Sequence, residues 1–222
     1  EVLGPRWPVL LGACLSWGLF NMAVYGQSSF RSLIADRIFG QDTAEISLRA
    51  LVQRNALFSL SASVSACVGC LLGMVIVDRI RRFQLQLLGF AGSAAALGAC
   101  GWLLAALPPQ IDWPLLTMVY LSTVCYMQVG IATYLIPSES FPSAVRGSCF
   151  GVAAAAGKVG AAIGTALFPV CEDAFGLTPV LLACSGVSIL GVVVTLMLTP
   201  RIDADPVELD ALCAPETRAK QG

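Results

Sequence analysis

Six runs of apolar and small residues, each long enough to cross a bilayer, are divided by short polar breaks. They cover about residues 7–26, 56–77, 83–107, 113–136, 147–170 and 177–198. Two breaks are charged: Asp78-Arg79-Ile80-Arg81-Arg82, and the loop from Pro137 to Arg146. Pro108-Pro109-Gln110 interrupts the chain after the third run, and Pro200 ends the sixth. Residues 27–55 form a polar connector that mixes Arg31, Arg37, Arg49 and Arg54 with Asp36, Asp42 and Glu45; parts of it fit a short amphipathic helix. The pattern predicts an all-α polytopic membrane protein, with one bundle of six transmembrane helices over residues 1–202. An acidic tail over residues 203–222, with Asp203, Asp205, Glu208 and Asp210, is expected to be disordered.

Composition agrees with that class. The 222 residues are 57% hydrophobic and 12% charged, about half the charge of a soluble domain. A net charge of −1 offers no footprint for nucleic acid. There is no histidine, so the usual general base and the commonest metal ligand are missing. The nine cysteines lie mostly inside apolar runs and read as reduced packing residues, including Cys67 and Cys70 of a lone CxxC. No nucleophile–base pair or metal cluster is legible, so neither an enzyme nor a bound cofactor is expected.

One charge interrupts the apolar pattern. Lys158 lies about 16 Å into the fifth run at a helical rise of ~1.5 Å per residue, near the middle of a hydrocarbon core ~30 Å thick. An ammonium there needs an anionic partner or a wet cleft. No acid lies inside an apolar run, so an ion pair between two of these helices has no candidate partner here. That favours a lysine facing a negatively charged solute. Its neighbours one turn away, Ala154, Ala155, Ala161 and Ala162, are all small, which lets a helix or a ligand approach.

Trp17, Asn21 and Tyr25 are spaced by four and share one helical face. The stripe reads equally as interfacial aromatics with one interhelical hydrogen bond from Asn21, or as a ligand-facing surface. Gly69 and Gly73 form a small-xxx-small pair that permits close helix approach. In the two charged breaks, Asp78 with Arg82 and Glu139 with Arg146 read either as charge that sets topology or as carboxylate–guanidinium pairs that close and open a gate.

These residues resemble the C-terminal six-helix half of a major facilitator superfamily transporter, and more narrowly the inorganic phosphate:proton symporter family. Asp78-Arg79-Ile80-Arg81-Arg82-Phe83-Gln84-Leu85-Gln86-Leu87-Leu88-Gly89-Phe90 is similar to that family's D-x-x-G-R-F-x-x-Q-x-x-G-F run, with Arg81 in place of glycine. Pro137-Ser138-Glu139-Ser140-Phe141-Pro142, followed by Arg146, resembles the P-x-E-x-F-P-x-x-x-R loop. Ala156-Gly157-Lys158-Val159-Gly160-Ala161 resembles S-G-K-x-G-A, and Trp17, Asn21, Tyr25 and Gly26 fit W-x-x-x-D-x-x-x-Y-G.

The resemblance implies secondary transport of a small anion, inorganic phosphate with proton coupling, by alternating access. Lys158, Trp17, Tyr25 and Asn21 then belong to the substrate site, and Asp78, Arg82, Glu139 and Arg146 to the cytoplasmic gate. Two positions depart from the family pattern. Asn21 stands where the family carries a proton-accepting aspartate, and asparagine does not titrate. Gly130 stands where it carries a substrate-binding asparagine. These departures leave an organic-solute facilitator of the same superfamily open as the alternative.

Six spans place both termini on one side. The arginine count gives that side to the cytoplasm, and the expected location is the plasma membrane rather than an organelle. The chain opens at Glu1 without the basic and apolar regions of a signal peptide. A six-span half leaves its cavity face uncovered, so the expected partners are the lipid bilayer, an anionic solute, and an N-terminal six-helix half or another chain that supplies it. A truncated, non-transporting membrane interaction protein is the reading from a different class.

Overall fold

The computed structural model describes residues 6–29, 48–106 and 113–201. Six helices fill them: α1 (Trp7–Ser29), α2 (Leu48–Ile76), α3 (Arg82–Ala106), α4 (Trp113–Glu139), α5 (Ser143–Phe175) and α6 (Leu177–Leu198). Each carries a stretch long and apolar enough to span a membrane, as a multi-pass membrane protein requires. Most of the polar connector and the whole acidic tail lie outside the described residues.

The helix ends depart from the sequence pattern at the second charged break. The expected loop from Pro137 to Arg146 shrinks to residues 140–142, because α4 continues through Pro137 to Glu139 and α5 starts at Ser143. Pro142 sits immediately before the first turn, where a missing N–H leaves nothing unpaired. Arg146 therefore belongs to the first turn of α5 rather than to a loop. At its far end α5 runs past Pro169 to Phe175, beyond the expected stop at 170. Gly176 alone separates α5 from α6. Its φ of 82° and ψ of 175° lie where only glycine is comfortable, and its N–H bonds the Glu172 carbonyl.

Small residues set the closest helix contact. Along α5, Gly157, Gly160 and Gly164 face α1. A methyl group built on Gly160 would collide with the Gly18 carbonyl, and one on Gly164 with the Met22 carbonyl. The two backbones thus touch, as small-residue seams allow in lipid. Gly69 and Gly73 do the same for α2, which packs mainly on α4: added methyls would strike Met127 and Ile131.

Polar glue holds the rest. Buried Gln86 of α3 donates from Nε2 to Ser16 of α1 (2.7 Å) and Thr195 of α6 (2.9 Å). Tyr126 of α4 meets Ser188 of α6 at 2.6 Å, and Ser185 of α6 donates to the Ala94 carbonyl of α3 at 2.8 Å. Tyr120 of α4 meets Ser61 of α2, and Gln128 donates to the Gly69 carbonyl at 2.8 Å. Each such bond is worth about 0.6 kcal/mol in a membrane, so together they fix register more than they supply stability.

Candidate functional site

Lys158 is the sixteenth of the 33 residues of α5 and is exposed. It has no hydrogen-bond or ion-pair partner among the described residues. Its surroundings on α5 are uneven. The buried face is Cys149, Ala153, Gly157, Gly160, Ala161, Gly164 and Phe168. At about 100° per residue, Lys158 lies on one flank of that face, with exposed Gly151, Ala162 and Thr165. The opposite flank carries exposed Val152, Val159, Ile163, Leu167 and Val170. Branched aliphatics suit acyl chains, whereas a flank of small residues around an amine suits a protein or aqueous neighbour.

The α1 stripe divides. Trp17 is only 5% exposed and lies against Gly157, next to the lysine. Its ring centre is 4.7 Å from Tyr134 of α4 and 5.4 Å from Phe150 of α5. Asn21 is 8% exposed and donates from Nδ2 to the Gly157 carbonyl at 2.9 Å. Its amide donor thus ties α1 to α5 at the residue before Lys158. Tyr25 is 43% exposed, two turns further along α1. Trp17 and Asn21 are therefore brought to the lysine's own turn through Gly157, and Tyr25 is placed beyond it.

Tyr134 was not singled out from the sequence. It is 55% exposed, yet its ring contacts Trp17 and Phe150. Nothing in its spacing marks it, because three different helices meet to form the aromatic group. Gly130, one turn away, has its open side filled: a methyl there would sit 3.1 Å from the Phe20 ring. A longer polar side chain at 130 would need Phe20 to move.

The four charged residues at the other end of α4 also divide. Arg82 and Glu139 form a two-pronged pair, Nε to Oε2 at 3.0 Å and Nη2 to Oε1 at 3.2 Å. A further Arg82 N–H donates to the Val77 carbonyl, so one guanidinium joins the ends of α2, α3 and α4. Arg146 instead donates from Nε to the Phe141 carbonyl at 3.0 Å, and its buried Nη2 meets no acceptor. Asp78 is exposed and unpaired among the described residues. Cys67 and Cys70 are free and exposed on α2.

Residues 43–209 match the sugar (and other) transporter family. The chain is 26% identical over 219 residues to a probable inorganic phosphate transporter of Arabidopsis thaliana, covering 93% of the chain and 41% of that protein. A putative inorganic phosphate transporter of Schizosaccharomyces pombe is 30% identical over 208 residues, covering 91% of the chain and 35% of that protein. A glycerophosphoinositol permease of Candida albicans is 26% identical over 207 residues, covering 92% of the chain and 38% of the permease. The chain spans about two-fifths of the length of the curated relatives it matches.

Proposed function

This chain belongs to the sugar (and other) transporter family, and on that premise we propose that it is the C-terminal six-helix half of a secondary transporter for a small anion, inorganic phosphate first. The observation that carries the reading is Lys158: a cation without a partner among the described residues, at the middle of a membrane helix, on the small-residue flank rather than the aliphatic one. A phosphate oxyanion there satisfies the ammonium with charge-assisted hydrogen bonds. Trp17 and Tyr134 form the wall beside it, and Tyr25 lines the approach further along α1. Asn21 positions the lysine's turn through the Gly157 carbonyl.

Alternating access requires a second bundle across the small-residue flank, either an N-terminal half or another chain. At the arginine-rich end, Asp78, Arg82, Glu139 and Arg146 form the inner gate. Arg82–Glu139 is a pair within the bundle, while exposed Asp78 is the group left for a facing surface and the buried Nη2 of Arg146 is a donor that a rearranged gate could engage. The arginine excess gives this end to the cytoplasm. The second reading, an organic phosphate ester, draws on the similarity to a glycerophosphoinositol permease and on Gly130, which lacks the asparagine of the resembled pattern.

Proton coupling through Asn21 is not available, because a carboxamide holds no exchangeable charge. The test is uptake of labelled phosphate, a glycerophosphodiester and an uncharged sugar into vesicles containing the full-length protein. Saturable uptake of phosphate that is lost in Lys158→Ala supports the reading. Uptake of the diester alone moves it to the second reading, and sugar uptake indifferent to Lys158 overturns both.

A further inference from the structure

The turn between α2 and α3 holds three arginines, and they point to different tasks. Arg82 is turned inward and committed to Glu139 and Val77. Arg79 and Arg81 are exposed, with no acidic partner among the described residues. Arg201, just past α6, is exposed and has no acidic partner among the described residues either. Arg81 Nη1 donates to the Arg201 carbonyl at 3.4 Å, and the Arg201 guanidinium lies 5.8 Å from the Phe83 ring centre. Segments 120 residues apart are thus tied so that like charges share one patch. Among the described residues of this patch, Asp78 is the one acid set against Arg79, Arg81 and Arg201. The backbone N–H of Arg81 is held by Gln84 Oε1 at 3.2 Å, which fixes the residue at the start of α3, where the helix dipole adds positive potential.

We infer that this patch binds the phosphate headgroup of an anionic membrane lipid. Guanidinium forks match phosphate oxygens, and the bundle rim is where headgroups lie. Apolar surface for the acyl chains continues from the same place. Leu88 is exposed on α3 two turns deeper than Arg81, and Met197 on α6 one turn deeper than Arg201. A free phosphate ion has no use for that surface. The gate does not require Arg81, since Arg82 alone makes the pair, and the resembled run carries glycine at that position.

The test is native mass spectrometry of the full-length protein released from mixed micelles of phosphatidylcholine and phosphatidylinositol. The wild type retains phosphatidylinositol preferentially. Arg81→Gly lowers that preference roughly fivefold, and adding Arg201→Ala lowers it roughly fivefold again. Arg81→Lys keeps most of the preference, which separates lost charge from lost fold. If the double variant does not fold, the single variant is read against added lipid: phosphatidylinositol raises the melting temperature of the wild type but not of Arg81→Gly. Equal retention of both lipids, or retention unchanged in the variants, overturns the inference. Complete displacement of the lipid by millimolar inorganic phosphate also overturns it, because the patch then serves the free ion.

Discussion

Arg82 and Lys158 are both cations on helices of one bundle, and their surroundings are opposite. Arg82 stands at the start of α3, half-buried, with a carboxylate and a backbone carbonyl filling its fork. Lys158 stands at the middle of α5 with no partner of its own in the described chain. A cation at a helix end has water and headgroups within reach, so an internal partner there is a matter of order rather than survival. A cation at mid-membrane has no such escape, so leaving it bare is a structural sacrifice. The contrast teaches that Arg82 is satisfied inside the bundle whereas Lys158 is left for something outside it, and the substrate site is to be sought at the lysine.

The sharpest way to break the contrast is Lys158→Ala. Anion uptake by the full-length protein should fall roughly 100-fold or more, while the melting temperature stays within a degree or two. A large loss of stability with uptake intact would make Lys158 structural and Arg82 its equal. Next is Gly160→Val, which drives a side chain into the Gly18 carbonyl and should destabilise the bundle by about 3 kcal/mol. Unchanged thermal unfolding would mean the α1–α5 seam does not hold the lysine's helix. Glu139→Gln is milder. It removes the charge facing Arg82 at a half-exposed site and should cost about 1 kcal/mol, read as an earlier melting transition that Lys158→Ala does not show.

Among the variants that lower stability, the smallest loss is expected at Asn21. Asn21→Ala loses one interhelical bond, about 0.6 kcal/mol. Asn21→Asp tests coupling instead. An ionised carboxylate beside the Gly157 carbonyl repels it, and protonation restores a donor. The variant should therefore gain uptake as pH falls, where the native chain stays flat. A flat profile in both would place any proton path elsewhere.

The membrane class and the odd lysine were legible in the sequence because both depend on local composition. Apolar run length marks a span, and a single charge inside one is visible at once. Helix ends at the second charged break were less legible. Pro137 and Pro142 read as loop signals, yet one sits in the last turn of α4 and the other immediately before α5. A proline just before a helix breaks nothing, and one in the last turn costs a single backbone bond, so packing decides whether the helix continues through it. The stripe of Trp17, Asn21 and Tyr25 was placed on one face from its spacing. Its division into a buried aromatic, a helix tie and an exposed tyrosine was not.

The sequence by itself determined that six segments are long and apolar enough to span a membrane and which face of its own helix each residue occupies, since both follow from run length and a period of 3.6. The tertiary structure decided what covers each face. The backbones of α1 and α5 touch only because glycines are aligned across the seam, and that contact consumes the Asn21 amide and turns Lys158 onto an open flank. It also brought Tyr134 to Trp17 and filled the space beside Gly130 with Phe20. Those outcomes depend on the relative rotation of helices far apart in the chain, which no single helix's periodicity contains.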